Sequence, residues 1–123
     1  MLLKKKHEDY MKNNYSFTVM NKNLPLVKVS VHDGNVETVM LNMVKGITPF
    51  GYSNVTVSNV EDYIKSRCFS KNRPDASKIL EKLSIHEYNP VKITKKTHGR
   101  MHGDNIWLDY SGDTKWEDVR EEL

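Results

Sequence analysis

The sequence predicts an α+β fold, and three observations carry that reading. Apolar and polar residues alternate along three stretches between Tyr15 and Met43, which is the period of half-buried strands. Apolar residues then recur at helical spacing, behind capping residues, between Ser58 and Gly99. Alternation returns at Ile106–Tyr110, before a last short helical pattern. Strands, then helices, then a strand is the order of an α+β domain. The expected architecture is an N-terminal antiparallel β-meander, two or three short helices, a returning strand and a short C-terminal helix. A chain of 123 residues fits one domain, placed at 14–123. Residues 1–13 are polar and basic with no apolar period, and read as a loose basic arm.

Each element has a local cause. Tyr15, Phe17 and Val19 alternate with Ser16 and Thr18, and Asn21-Lys22-Asn23 makes a turn. Val27, Val29 and Val31 follow, up to Asp33-Gly34. Asp-Gly suits a two-residue type I′ loop, whose central residues both need positive φ. That loop pairs Val31 with Val36, Val29 with Thr38 and Val27 with Met40, all on one face. Two glycines and a proline make a loop of 45–52. Ser58-Asn59-Val60-Glu61 matches a capping box, ahead of a face of Val60, Tyr63, Ile64 and Cys68. A second helix is expected from near Pro74, with Ala76, Ile79, Leu80 and Leu83 as its stripe. A third runs from Asn89-Pro90 to Gly99, proline suiting the first turn and glycine the left-handed stop. Thr114-Lys115-Trp116-Glu117 is a second capping-box pattern, with Trp116, Val119 and Leu123 on one face.

Composition narrows the function classes. Apolar residues make up 37% and charged residues 28%. No run approaches the ~20 apolar residues of a membrane span, and the opening Met1-Leu2-Leu3-Lys4-Lys5-Lys6 has its charge on the wrong side for a secretory signal. One cysteine makes no internal disulfide, so a cytoplasmic setting is expected. The net charge of +3 is unevenly distributed. Residues 1–103 carry 17 Lys and Arg against 9 Asp and Glu, and residues 104–123 carry 2 against 7. A basic body can meet nucleic acid or an acidic partner, or be neutralised by the acidic tail.

The candidate chemistry is sparse. His98, His102 and Asp104 have ligand-like spacing, but Gly99 and Gly103 interrupt the helix that would align them, so no metal is assigned. Cys68 has basic neighbours that favour a thiolate, yet it sits on an apolar stripe and reads as core. There is no phosphate loop, no dinucleotide fingerprint and no carboxylate pair in an apolar setting, so neither catalysis nor a cofactor is expected. Lys65, Arg67, Lys71 and Arg73 surround Phe69 without acids, and Lys92, Lys95, Lys96 and Arg100 form a second basic cluster. Both suit phosphate backbones or a solvated face. Phe50, Tyr52, Trp107 and Trp116 lie in or beside loops, where large aromatics either complete a core or anchor a partner.

Several strings, taken in order, resemble the N-terminal segment of HipA-like kinases. They are Met20-Asn21-Lys22-Asn23-Leu24-Pro25-Leu26, the loop Pro49-Phe50-Gly51, the Arg-rich stretch Arg67 to Arg73, the helix Ile79 to Ile85, the run Arg100 to Leu108, and Trp116-Glu117-Asp118-Val119. The resemblance covers about residues 15–123. The kinase core would begin just after Trp116-Glu117-Asp118, where this chain stops, and no ATP loop or catalytic Asp is present. The resemblance thus implies a free-standing accessory module that binds a separate HipA-like Ser/Thr kinase and restrains or completes it, as in split toxin–antitoxin systems. Phe50, Tyr52, Arg67, Phe69, Arg73, Trp107 and Trp116 are then the expected contact residues, aromatics as anchors and arginines for steering. The alternative is a small basic nucleic-acid-binding or regulatory protein of a mobile element. An inhibitor of some other host or phage factor would rest on the same physics.

Overall fold

A computed structural model of the chain describes residues 14–50 and 54–120. The expected basic arm at 1–13 lies outside them. The meander forms as β1 (Tyr15–Asn21), β2 (Leu24–His32) and β3 (Asn35–Met40). The last strand, β4 (Ile106–Asp109), returns to pair antiparallel with β1, giving the order β3-β2-β1-β4. Asp33 at φ 49° and Gly34 at φ 81° make the turn that the Asp-Gly pair implies. The expected pairs Val31–Val36, Val29–Thr38 and Val27–Met40 follow from it. The first hairpin carries an irregularity: Val19 pairs with Val27 but Met20 pairs with Pro25. Leu26 is the extra residue of this bulge, and both Leu26 and Val27 end up buried.

Among the described residues four helices follow the meander, the last of them after β4. In α1 (Val57–Ser66) the cap lies two residues upstream of the Ser58–Glu61 pattern. The Thr56 hydroxyl accepts from the Asn59 N–H at 3.1 Å, and the Asn59 amide oxygen accepts from the Thr56 N–H at 3.0 Å. The turn after Pro74 leads into α2 (Ala76–Lys82). In α3 (Pro90–Thr97) the Asn89 side chain accepts from the Lys92 N–H at 3.1 Å, with Pro90 at the first position, as its sequence implies. Its left-handed stop begins at His98, φ 57°, one residue ahead of Gly99. In α4 (Trp116–Val119) Asp118, not Glu117, closes the cap by accepting from the Lys115 N–H at 3.1 Å.

The core lies on both faces of the sheet. On one face Phe17, Val19, Val29, Val31 and Leu108 pack against Val60 and Ile64 of α1, and a smaller cluster of Cys68, Ile85 and Ile93 sits beside it. On the other face α4 brings Val119 and Trp116 onto Met20 and Trp107. Burying a side chain of this size contributes about 1.5–3 kcal/mol. The cover is uneven, because Lys28 of β2 and Glu37 and Val39 of β3 stay exposed.

Candidate partner-binding site

The helix α1 stops at Arg67, and the chain runs through Cys68 and Phe69 into a turn at 70–75. Across from it α3 ends in Lys96 and Thr97, and Arg100, Met101 and His102 follow. The two segments enclose a cavity of about 430 Å³. Five of the side chains around it are basic, namely Arg67, Arg73, Lys96, Arg100 and His102. Among the described residues no lining side chain carries a carboxylate, and Phe69, Leu83, Ile93 and Met101 supply apolar wall. Among the described residues, Arg67 and Arg100 meet Asp104 and Arg73 meets Asp75.

Arg67 is the most heavily engaged of these. Its Nη1 and Nη2 donate to the Asp104 carboxylate at 2.9 and 3.0 Å, its Nε to the Gly99 carbonyl at 2.9 Å, and its Nη2 also to the Ile106 carbonyl at 2.8 Å. Partial burial would raise the Asp104 carboxyl, but hydrogen bonds and charge from Arg67, with help from the Ile106 N–H and Arg100, hold it below the ordinary carboxylate range. Arg100 is buried, donates from Nη1 to the Asp104 carbonyl at 2.7 Å, and lies 4.6 Å from the Trp116 ring centre. Its Nε has no partner among the described residues. Arg73 holds the exposed Asp75 at 2.8 and 2.9 Å, which lowers that carboxyl. Phe69 meets Tyr88 edge-on at 5.5 Å, and the Tyr88 hydroxyl donates to the Phe69 carbonyl at 2.6 Å.

The seven expected contact residues divide sharply. Arg67, Phe69 and Arg73 share this one cavity, and Trp116 joins it through Arg100. Phe50 lies elsewhere, half-buried 4.8 Å from the Tyr63 ring, on an apolar groove of about 210 Å³ beside β3. Tyr52 lies outside the described residues. Two of the seven need correction. Trp107 is 0% exposed, with its indole N–H donating to the Lys22 carbonyl at 2.7 Å, so it is a core residue and no protruding anchor. The Arg67 side chain is only 11% exposed and braces the fold, so long-range steering falls to its neighbours. The cavity adds Lys96, Arg100 and His102. The signal for the first two was their basic cluster, which the fold brings against the cluster at 65–73.

Among the described residues, no group of three or more His, Cys, Asp or Glu side chains could hold a metal ion. His98 instead meets the Trp107 ring edge-on at 6.3 Å. Cys68 is buried, its thiol pushed up to about 12 by desolvation, which suits packing better than nucleophilic work. No described helix is long and apolar enough to cross a membrane. No protein-family model, curated protein or solved structure matches this chain.

Proposed function

We propose that this chain is a non-catalytic interaction protein that binds a HipA-like Ser/Thr kinase and restrains or completes it, in the manner of an antitoxin. The observation that carries the reading is the convergence of Arg67, Phe69 and Arg73 on one basic cavity whose described lining holds no carboxylate. Such a cavity suits an acidic side chain of a partner, with Phe69 offering an aromatic edge for packing beside it. Arg73 and Lys96 supply the favourable field, while the Arg67–Asp104 pair keeps the walls in place. The resemblance of the chain's ordered strings to the HipA-like N-terminal segment supplies the kind of partner.

The test is binding to a panel of HipA-like kinases that lack their own N-terminal segment. Phe69→Ala should weaken binding by at least ~30-fold, the loss of a central aromatic contact of about 2 kcal/mol. Arg73→Glu should slow association and flatten its salt dependence. If folded versions of both variants bind like the parent, the cavity is not the interface. If no kinase binds, the reading fails.

The exposed Lys92, Lys95 and Lys96 on α3 favour the second reading, contact with nucleic acid. Salt separates the two. Binding driven by phosphate contacts falls by orders of magnitude between roughly 50 and 200 mM salt, whereas an anchored protein complex weakens far less.

A further inference from the structure

The strand β3 ends the sheet, and among the described residues its one charged side chain, Glu37, is its main guard against pairing. Its sequence, Asn35-Val36-Glu37-Thr38-Val39-Met40, contains no proline and no lysine. Its pairing with β2 runs without a bulge from Asn35 to Met40. Val39, Met40, Leu41 and Met43 are all exposed, Met43 by 72%. An unbulged edge with exposed apolar residues at its end is a template for another strand.

The turn decides which backbone groups face outward. In a two-residue hairpin the residues flanking the loop, His32 and Asn35, exchange hydrogen bonds. Alternation then directs the groups of Asn35, Glu37 and Val39 to β2, and leaves those of Val36, Thr38 and Met40 pointing away from the sheet.

We propose that this edge pairs with the same edge of a second copy of the chain, antiparallel about a two-fold axis through Thr38, making one eight-stranded sheet. The register follows from the outward row and from charge. An axis at Thr38 sets Thr38 opposite Thr38 and Val36 opposite Met40, and all three carry outward-facing backbone groups. It also brings the second copy's Val36 beside Met40, at the mouth of the groove lined by Met43 and Phe50. On the other face it sets Glu37 opposite Val39. Because Lys28 pairs with Val39 inside each copy, each row across the interface reads Lys28, Val39, Glu37, Ser30. The acid of one copy therefore lies toward the lysine of the other. Moving the axis one residue to Glu37 would place two glutamates face to face, an arrangement that destabilises a strand pair. The interface lies at the edge of the sheet opposite β4, so it leaves the basic cavity open.

Sedimentation of the purified full chain over a range of concentrations reads the oligomeric state directly. A mass near twice 14.3 kDa is expected at high concentration, and a monomer at every concentration overturns the proposal. Thr38→Lys puts two like charges on the axis and should weaken the dimer at least tenfold, with the melting midpoint of the dilute protein unchanged. Thr38→Glu should act alike. Mixing the two variants should restore association, because lysine then faces glutamate. A dimer that ignores both substitutions lies elsewhere and overturns the proposal. Hydrogen exchange gives an independent reading on the unaltered chain. The amides of Val36, Thr38 and Met40 should gain protection as concentration rises, and unchanged exchange there overturns the register.

Discussion

Replacing Arg67 by alanine tests whether a cation at the mouth of a basic cavity is there for the fold. The side chain makes four hydrogen bonds within 3.0 Å, two to Asp104 and one each to the Gly99 and Ile106 carbonyls. Losing it leaves two carbonyls in a largely dry setting, at about 1 kcal/mol each. The Asp104 side chain is 39% exposed and recovers part of its solvation, so the lost ion pair adds only about 1 kcal/mol more. The total is about 3 kcal/mol, or roughly 10 °C in melting midpoint for a domain of this size. Chemical denaturation of Arg67→Ala, Asp104→Asn and the double variant gives the assay, and a positive coupling energy is expected between the two sites. The pH dependence has a definite sign. Asp104 titrates below the ordinary carboxylate range when folded, so its stabilisation is complete above the unfolded value near ~4 and is lost as pH falls through the folded value. The acid side of the stability curve should therefore be shallower in Arg67→Ala. A loss below about 1 kcal/mol, with no coupling, would refute the bracing role and return Arg67 to the surface.

Three further outcomes follow from particular positions. Gly34→Val should lower stability by about 1–2 kcal/mol through backbone strain alone, because φ is 81° and an added Cβ meets nothing within 4 Å; an unchanged thermal midpoint would contradict the turn. Gly99→Ala should cost more, at about 2–3 kcal/mol, since strain at φ 61° adds to a Cβ placed 2.9 Å from the Leu108 Cγ; equal midpoints for the two glycine variants would contradict the close approach. The Cys68 thiol, pushed up to about 12, should react with a thiol reagent at pH 8 at least ~100-fold more slowly in the native protein than in denaturant, and comparable rates would show it to be accessible.

What the sequence disclosed and what it hid divide along physical lines. The meander was legible because its determinants are local: an Asp-Gly turn fixes the register, and the register decides which valines share a face. The start of α3 was legible for the same reason, as Asn89-Pro90 satisfies one orphan donor and removes another. The caps of α1 and α4 were misplaced because overlapping four-residue patterns compete. Thr56 with Asn59 and Ser58 with Glu61 can both satisfy a first turn, and the chain uses the upstream pair. Trp107 was misread because strand alternation gives its side one face of β4, and nothing local reveals that α4 covers that face. The bracing role of Arg67 was out of reach, since Asp104 lies 37 residues away. At the candidate site each basic cluster was visible alone, and their meeting belongs to tertiary structure.

The sheet order has a consequence for the newly made chain. The β2–β3 and β1–β2 hairpins close over a few residues each, but Trp107 on β4 pairs with Met20, whose codon is read long before. At ordinary translation speeds the gap is on the order of ten seconds. Throughout it β1 lacks its permanent neighbour, and the nascent meander exposes two open edges instead of one. The clasp that ends this interval is specific. Asn23, in the first turn, accepts the Trp116 N–H at 2.9 Å and donates to Glu117 at 3.3 Å, while Lys22 receives the indole N–H of Trp107. The turn between β1 and β2 thus waits as a latch for a segment made far later. Substitutions in Asn23 should accordingly be felt more in the yield of folded protein made in cells than in the stability of molecules that have already closed.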